Sequence, residues 1–179
     1  MNTMRYSVTT IAAAAVMSTM AAGSTAFAQG VTDAQIAAIV VTANQVDVDA
    51  GKLAESKGTH PEVKAFGRQM VADHTGVNKQ ATALVTKLGV KPEDNPTAQS
   101  LKAGGAENVK KLTGLSGAAF DKAYVDNEVA YHQQVLDALD KTLIPGAQNA
   151  ELKALLEKVR PAFVAHLSHA QTIQKALAK

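Results

Sequence analysis

The stretch Thr32-Asp-Ala-Gln-Ile-Ala-Ala-Ile-Val-Val-Thr-Ala-Asn-Gln-Val-Asp-Val-Asp-Ala-Gly-Lys-Leu-Ala54 decides the fold. Its apolar residues Ile36, Ile39, Val40, Ala43, Val46, Ala50, Leu53 and Ala54 recur at intervals of three and four, the period of one helical face. Thr32 and Gln35 stand at capping-box spacing, so the Gln35 side chain can reach back to the Thr32 amide. Gly58 is the expected stop. One residue breaks the apolar seam: Asp47, between Ala43 and Ala50.

The same period continues on both sides of the long middle of the chain. Pro61 suits the first turn of a second helix, where its missing N–H costs nothing. That helix is predicted to carry Val63, Phe66, Met70, Val77, Ala81, Leu84 and Leu88 inward and to end at Gly89. Ser116 is the expected cap of a third, with Phe120, Tyr124, Tyr131, Val135 and Leu139 inward. Pro145-Gly146 is expected to break the chain, and Asn149 to open a last helix that Pro161 should bend. Four helices of roughly 25 residues are each about 37 Å long. The segment from Gly89 to Leu115 contains Pro92, Pro96 and Gly104-Gly105, and is predicted to hold one or two small helices. Tight outer turns and a long connection between helices two and three predict an all-α, ferritin-like four-helix bundle. Gly51 and Gly67 read as sites of close helix packing, His60 as a turn residue or cap, and Lys110-Lys111 as solvated loop charges.

Composition removes several functions. The 179 residues include 18 Lys+Arg, 16 Asp+Glu, five His, no Cys and no Trp. Disulfides, thiolate metal sites and a cysteine nucleophile are excluded. Near-zero net charge and few aromatic residues argue against a nucleic-acid binder. Met1 to Ala28 reads as a secretory signal peptide: Arg5, the apolar Ile11–Met20, then Ala26-Phe27-Ala28 with cleavage before Gln29. Residues 29–179 are then one bundle domain with no membrane span, periplasmic or secreted. Met70 is the only methionine beyond the leader, so a methionine-rich copper surface is excluded.

What interrupts the stripes carries the chemistry. Asp47, His74, Glu128, His132 and His166 each fall in an apolar seam near mid-helix, with His169 one turn beyond. Counted from the turns, Asp47 and His74 come to one level. His132 and His166 match less closely, and Glu128 improves the match. Three readings follow. A closed hydrogen-bond network would fix helix register, making the protein a structural or stress-related module. The alternative is a metal-binding protein or metal-dependent redox enzyme, with one transition-metal ion on those five candidates. The third is acid–base chemistry on a small substrate. Val71, Val129 and Phe163 stand three before the inward histidines, so the Glu-x-x-His pairs of a di-iron site are absent. The set suits a single zinc, copper or iron ion. Asp73, about 100° around the helix from His74, is expected to face water.

Asp47-Val-Asp-Ala-Gly-Lys-Leu-Ala54, Pro61-Glu-Val-Lys-Ala-Phe66, Met70-Val-Ala-Asp-His74 and Phe120-Asp-Lys-Ala-Tyr124 form a recognisable series. With the His132 segment, Pro161 and His166-Leu167, it resembles the exported bacterial "domain of unknown function 4142" family, placed with the ferritin-like folds. The resemblance runs from about Asp33 to Leu177. It implies export and a ferritin-like fold, and no established reaction. Its Asp-His on helix two and single His on helices three and four map onto Asp73, His74, His132 and His166. The family often has Glu where this chain has Asp47 and Asp49.

Overall fold

The computed structural model describes residues 30–179. The expected leader and its cleavage site lie outside them. The described residues form a helical bundle: α1 (Asp33–Lys57), α2 (Pro61–Lys87), α3 (Pro96–Thr113), α4 (Gly117–Ala138), a π-helical turn (Leu139–Leu143), the single turn α5 (Ile144–Gly146) and α6 (Ala150–Leu177).

The helix ends follow the local chemistry. Thr32 accepts from the Gln35 amide and Gln35 reaches back to the Thr32 amide, the reciprocal capping box that the sequence suggests. His60 caps α2 through Nδ1, and Pro61 opens it. Asn149 caps α6 by accepting from the Glu151 and Leu152 amides. Ser116 holds the cap position of α4, but its side chain makes no cap bond. The expected break at Pro145-Gly146 comes slightly later. Helical backbone continues through both residues, because Pro tolerates the first turn of α5, and the chain turns at Ala147–Asn149. Helix α6 runs continuously across Pro161.

The long connection departs most from expectation. It forms one 18-residue helix, α3, capped by Asn95 and continuous through Gly104-Gly105. A Cβ on Gly105 would lie 2.6 Å from Val46 Cγ2, so this glycine lets α3 pack closely on α1. Lys110 and Lys111 sit in its last turn, where positive charge suits the helix C-terminus, rather than on a loop. Gly51 and Gly67 do the same work between α1 and α2. A Cβ on Gly67 would meet Gly51 O and Ala54 Cβ, both at 2.7 Å.

Two aspartates that the sequence does not single out fasten the turns. Asp121 is buried at the start of α4 and accepts from the Thr59 and His60 amides at 3.0 and 2.8 Å, and from the Thr59 hydroxyl. Asp33, at the start of α1, accepts from the Gln148 and Asn149 amides, each at 2.9 Å. Each carboxylate satisfies backbone donors that the turn leaves unpaired.

The core divides in two. One apolar cluster contains Ile36, Leu136, Leu139, Leu156 and Phe163; the other contains Ala54, Phe66, Met70, Phe120 and Ile173. Each of α1, α2, α4 and α6 passes from one cluster to the other, and each carries its polar interruption at the crossing. Burying each large side chain stabilises the fold by about 1.5–3 kcal/mol, which offsets the cost of the polar layer between. Directions alternate along the chain, so α2 and α4 run parallel, joined by α3 running back along α1.

Candidate functional site

Five side chains that the sequence singles out meet where the two clusters part. Asp47, His74, Glu128, His132 and His166 are 3, 1, 0, 1 and 2 % exposed, so all five are core residues. They fall into two triads that share His132. One ring nitrogen each from His74, His132 and His166 lie within 4.8 Å of one another, and so do ligand atoms of Asp47, Glu128 and His132. The three rings stand 5.3–5.7 Å apart, centre to centre. The weaker level match of His132 with His166 does not keep them apart: their ring centres lie 5.4 Å from each other.

Each imidazole is held by one nitrogen only. His74 Nδ1 lies 2.7 Å from Asn44 Oδ1, and the Asn44 amide nitrogen donates to the Val40 carbonyl at 2.8 Å, which fixes that oxygen as the acceptor. His132 Nδ1 donates to the Glu128 carbonyl at 3.1 Å. His166 Nε2 donates to Asp73 Oδ2 at 2.9 Å. These bonds assign the proton on each ring and leave a lone pair on the other nitrogen. Those nitrogens are His74 Nε2, His132 Nε2 and His166 Nδ1, all buried and none with a hydrogen-bond partner in the protein. Asp73 therefore does not simply face water: half-exposed, it orients His166 from the bundle surface. Asn44 is the residue that sequence reasoning misses. It lies one turn before Asp47 on the seam side of α1, a polar side chain at a buried position, and that placement was the available signal.

The layer is open on its histidine side. On its carboxyl side Glu128 faces the Asp47 carboxyl and the Tyr124 hydroxyl, and that half can close as a network. Asp47 Oδ2 stands 3.5 Å from His74 Nδ1, and Glu128 Oε2 stands 3.5 Å from His132 Nδ1. His169 stays outside the layer, exposed, with its ring edge against Phe66.

Burial sets the protonation. It pushes His132 down to about 4, with the His166 charge adding to the effect. His74 falls well below the usual histidine range for the same reason, helped by His132 and His166, and burial also lowers His166. The imidazoles are neutral at pH 7, the form that binds a cation. Burial raises Glu128 to about 8, and raises Asp47 well above the carboxylate range with help from the facing Glu128. Two buried carboxyls this close do not both ionise.

A pH dependence follows for the metal-free protein. Glu128 rises from 4.5 unfolded to about 8 folded, so between these values the native state holds a proton that the unfolded chain releases. Its contribution is complete below 4.5 and is lost as pH rises through 8. Below about pH 7.5 the three buried histidines oppose this trend, because the unfolded imidazoles still take up protons that the native rings refuse; above it they are neutral in both states. Stability is therefore expected to fall by roughly 1 kcal/mol from pH 7.5 to 8.5, and Glu128→Gln should reduce the decline. Thermal melts at both pH values check this; a parent protein more stable at pH 8.5 contradicts it.

Comparison with known proteins bears on the whole arrangement. Among curated proteins and among solved structures, none matches this chain. Residues 16–173 match the family described as domain of unknown function (DUF4142), a span that takes in all five candidate ligands together with Asn44 and Asp73. With most of its length covered, the chain belongs to the DUF4142 family.

Proposed function

We propose that the protein is an exported, ferritin-like four-helix bundle that holds one transition-metal ion on His74, His132 and His166. In this reading α1, α2, α4 and α6 are the bundle and α3 is its crossover. The observation that carries the metal reading is the set of three buried imidazole nitrogens without a partner, each on a ring whose other nitrogen is already bonded. An unpaired buried polar atom costs about 1–3 kcal/mol, and several in one cluster call for a bound ion or ordered water to offset them. Metal-binding histidines characteristically donate their second N–H to a carboxylate or carbonyl, which is the role of Asp73, Asn44 and the Glu128 carbonyl here.

Three neutral imidazoles suit zinc, iron or copper and leave a further coordination position open. The Asp47–Glu128 pair supplies the compensating charge: a proton held in the metal-free protein can leave when a cation enters. The expected test is calorimetric titration of metal-stripped protein with zinc, and with iron(II) under nitrogen. One ion per chain should bind to the parent, and His74→Ala should bind it far more weakly. No binding of either metal by folded protein would end this reading.

Export rests on Arg5, the apolar Ile11–Met20 and Ala26-Phe27-Ala28. Among the described residues no helix is long and apolar enough to cross a membrane. Mass spectrometry of the protein from its native host should find an N-terminus at Gln29; an intact Met1 would overturn export.

A further inference from the structure

A cavity of about 80 Å³ lies in the apolar half of the core and ends on the histidine layer, with Asp47, His74 and His132 in its lining. Its wall also carries Asn44, Thr97 and Gln134; the rest is apolar and includes Leu139 and Leu143. Both come from the π-helical turn, where the Ile144 amide bonds the Leu139 carbonyl five residues back. Such turns are frequent at functional sites. Thr97 and Gln134 also line the cavity and are exposed, so its mouth lies between α3 and α4. Phe163 is part of the wall and stacks on His74 with ring centres 5.1 Å apart.

Size and polarity select the occupant. A single water needs about 10–15 Å³ of such volume together with polar partners, and a dry cavity of about 150 Å³ accepts benzene or xenon. This one is too small for an aromatic ring, and away from its histidine end its Ile, Val and Leu wall offers a charged substrate no partner. The buried His74 Nε2 and His132 Nε2 have no partner in the protein, and both rings border the cavity. We propose that this cavity admits a small uncharged diatomic gas to the open coordination position of the bound ion. The inference rests on the metal reading above and names the class of ligand that reaches the same site.

Xenon and nitric oxide are the probes, used in separate arms. Xenon needs no metal: the metal-free protein should bind it saturably, as read by 129Xe NMR. Ala138 lines the cavity and is no ligand. Ala138→Leu should weaken xenon uptake about tenfold by occupying the space, while leaving iron(II) affinity unchanged. Leu156→Ala enlarges the same cavity and should raise uptake, so the inference does not hang on one variant. In the second arm, the iron(II)-loaded parent should form a nitrosyl adduct visible by electron paramagnetic resonance, and Ala138→Leu should slow its formation about tenfold. Absent xenon binding overturns the gas cavity and leaves the metal reading standing. Xenon binding with iron loaded and no nitrosyl adduct overturns the route to the ion. Failure of iron(II) and zinc to bind overturns the metal reading, and this inference with it.

Discussion

His132→Leu is expected to leave the metal-free protein within about 1 kcal/mol of the parent, and to abolish the stabilisation that metal brings. The substitution removes a buried nitrogen that has no partner and keeps an apolar volume of similar size. It gives up one bond, from Nδ1 to the Glu128 carbonyl. A closed network would respond differently, losing about 1–3 kcal/mol as the stranded partner stays buried. The metal effect is larger. An ion at a thousand times its dissociation constant stabilises the native state by about 4 kcal/mol, a shift of about 10 °C for a domain of this size. Differential scanning calorimetry with and without zinc reads both quantities. A metal shift that survives in His132→Leu would remove that residue from the ligand set.

Gly67→Ala is expected to lower stability by about 3 kcal/mol and to weaken metal binding, although Gly67 touches no candidate ligand. A Cβ there would come within 2.7 Å of Gly51 O and 2.9 Å of the Glu55 amide nitrogen, and neither backbone atom can turn away. Helices α1 and α2 would have to separate, carrying Asn44 and Asp47 away from His74. Gly76 is the internal control. It lies on the same helix with open space where a Cβ would go, so Gly76→Ala should stabilise by about 0.5–1 kcal/mol through helix propensity. Urea unfolding of the two variants gives the comparison; equal effects would mean that the close contact between α1 and α2 is not needed.

Much of this was legible in the sequence, for identifiable reasons. The four long amphipathic helices follow from apolar spacing, and their ends from Thr32-Gln35, Pro61 and Asn149, because capping is local chemistry. The five layer residues were legible as polar interruptions of apolar stripes. Partners separated widely in sequence were not. Asp121 reaching the Thr59 and His60 amides, and Asp73 reaching His166, depend on how helices pack, and an aspartate on a helix has the same sequence signature when it faces water. The continuity of α3 was hidden by Gly104-Gly105, which reads as a breaker until Val46 is placed against Gly105. The cavity is a property of packing alone, and no sequence pattern announces it.

X-ray absorption spectroscopy at the metal edge of the zinc-loaded protein addresses the central claim most directly. It reports the donors around the ion itself, independent of stability or activity. The expected result is one zinc per chain with the scattering of three imidazole rings, falling to two in each of His74→Ala, His132→Ala and His166→Ala that still retains the ion. Zinc held by oxygen donors alone, or an imidazole signal unchanged in all three variants, would contradict a metal site built on these histidines.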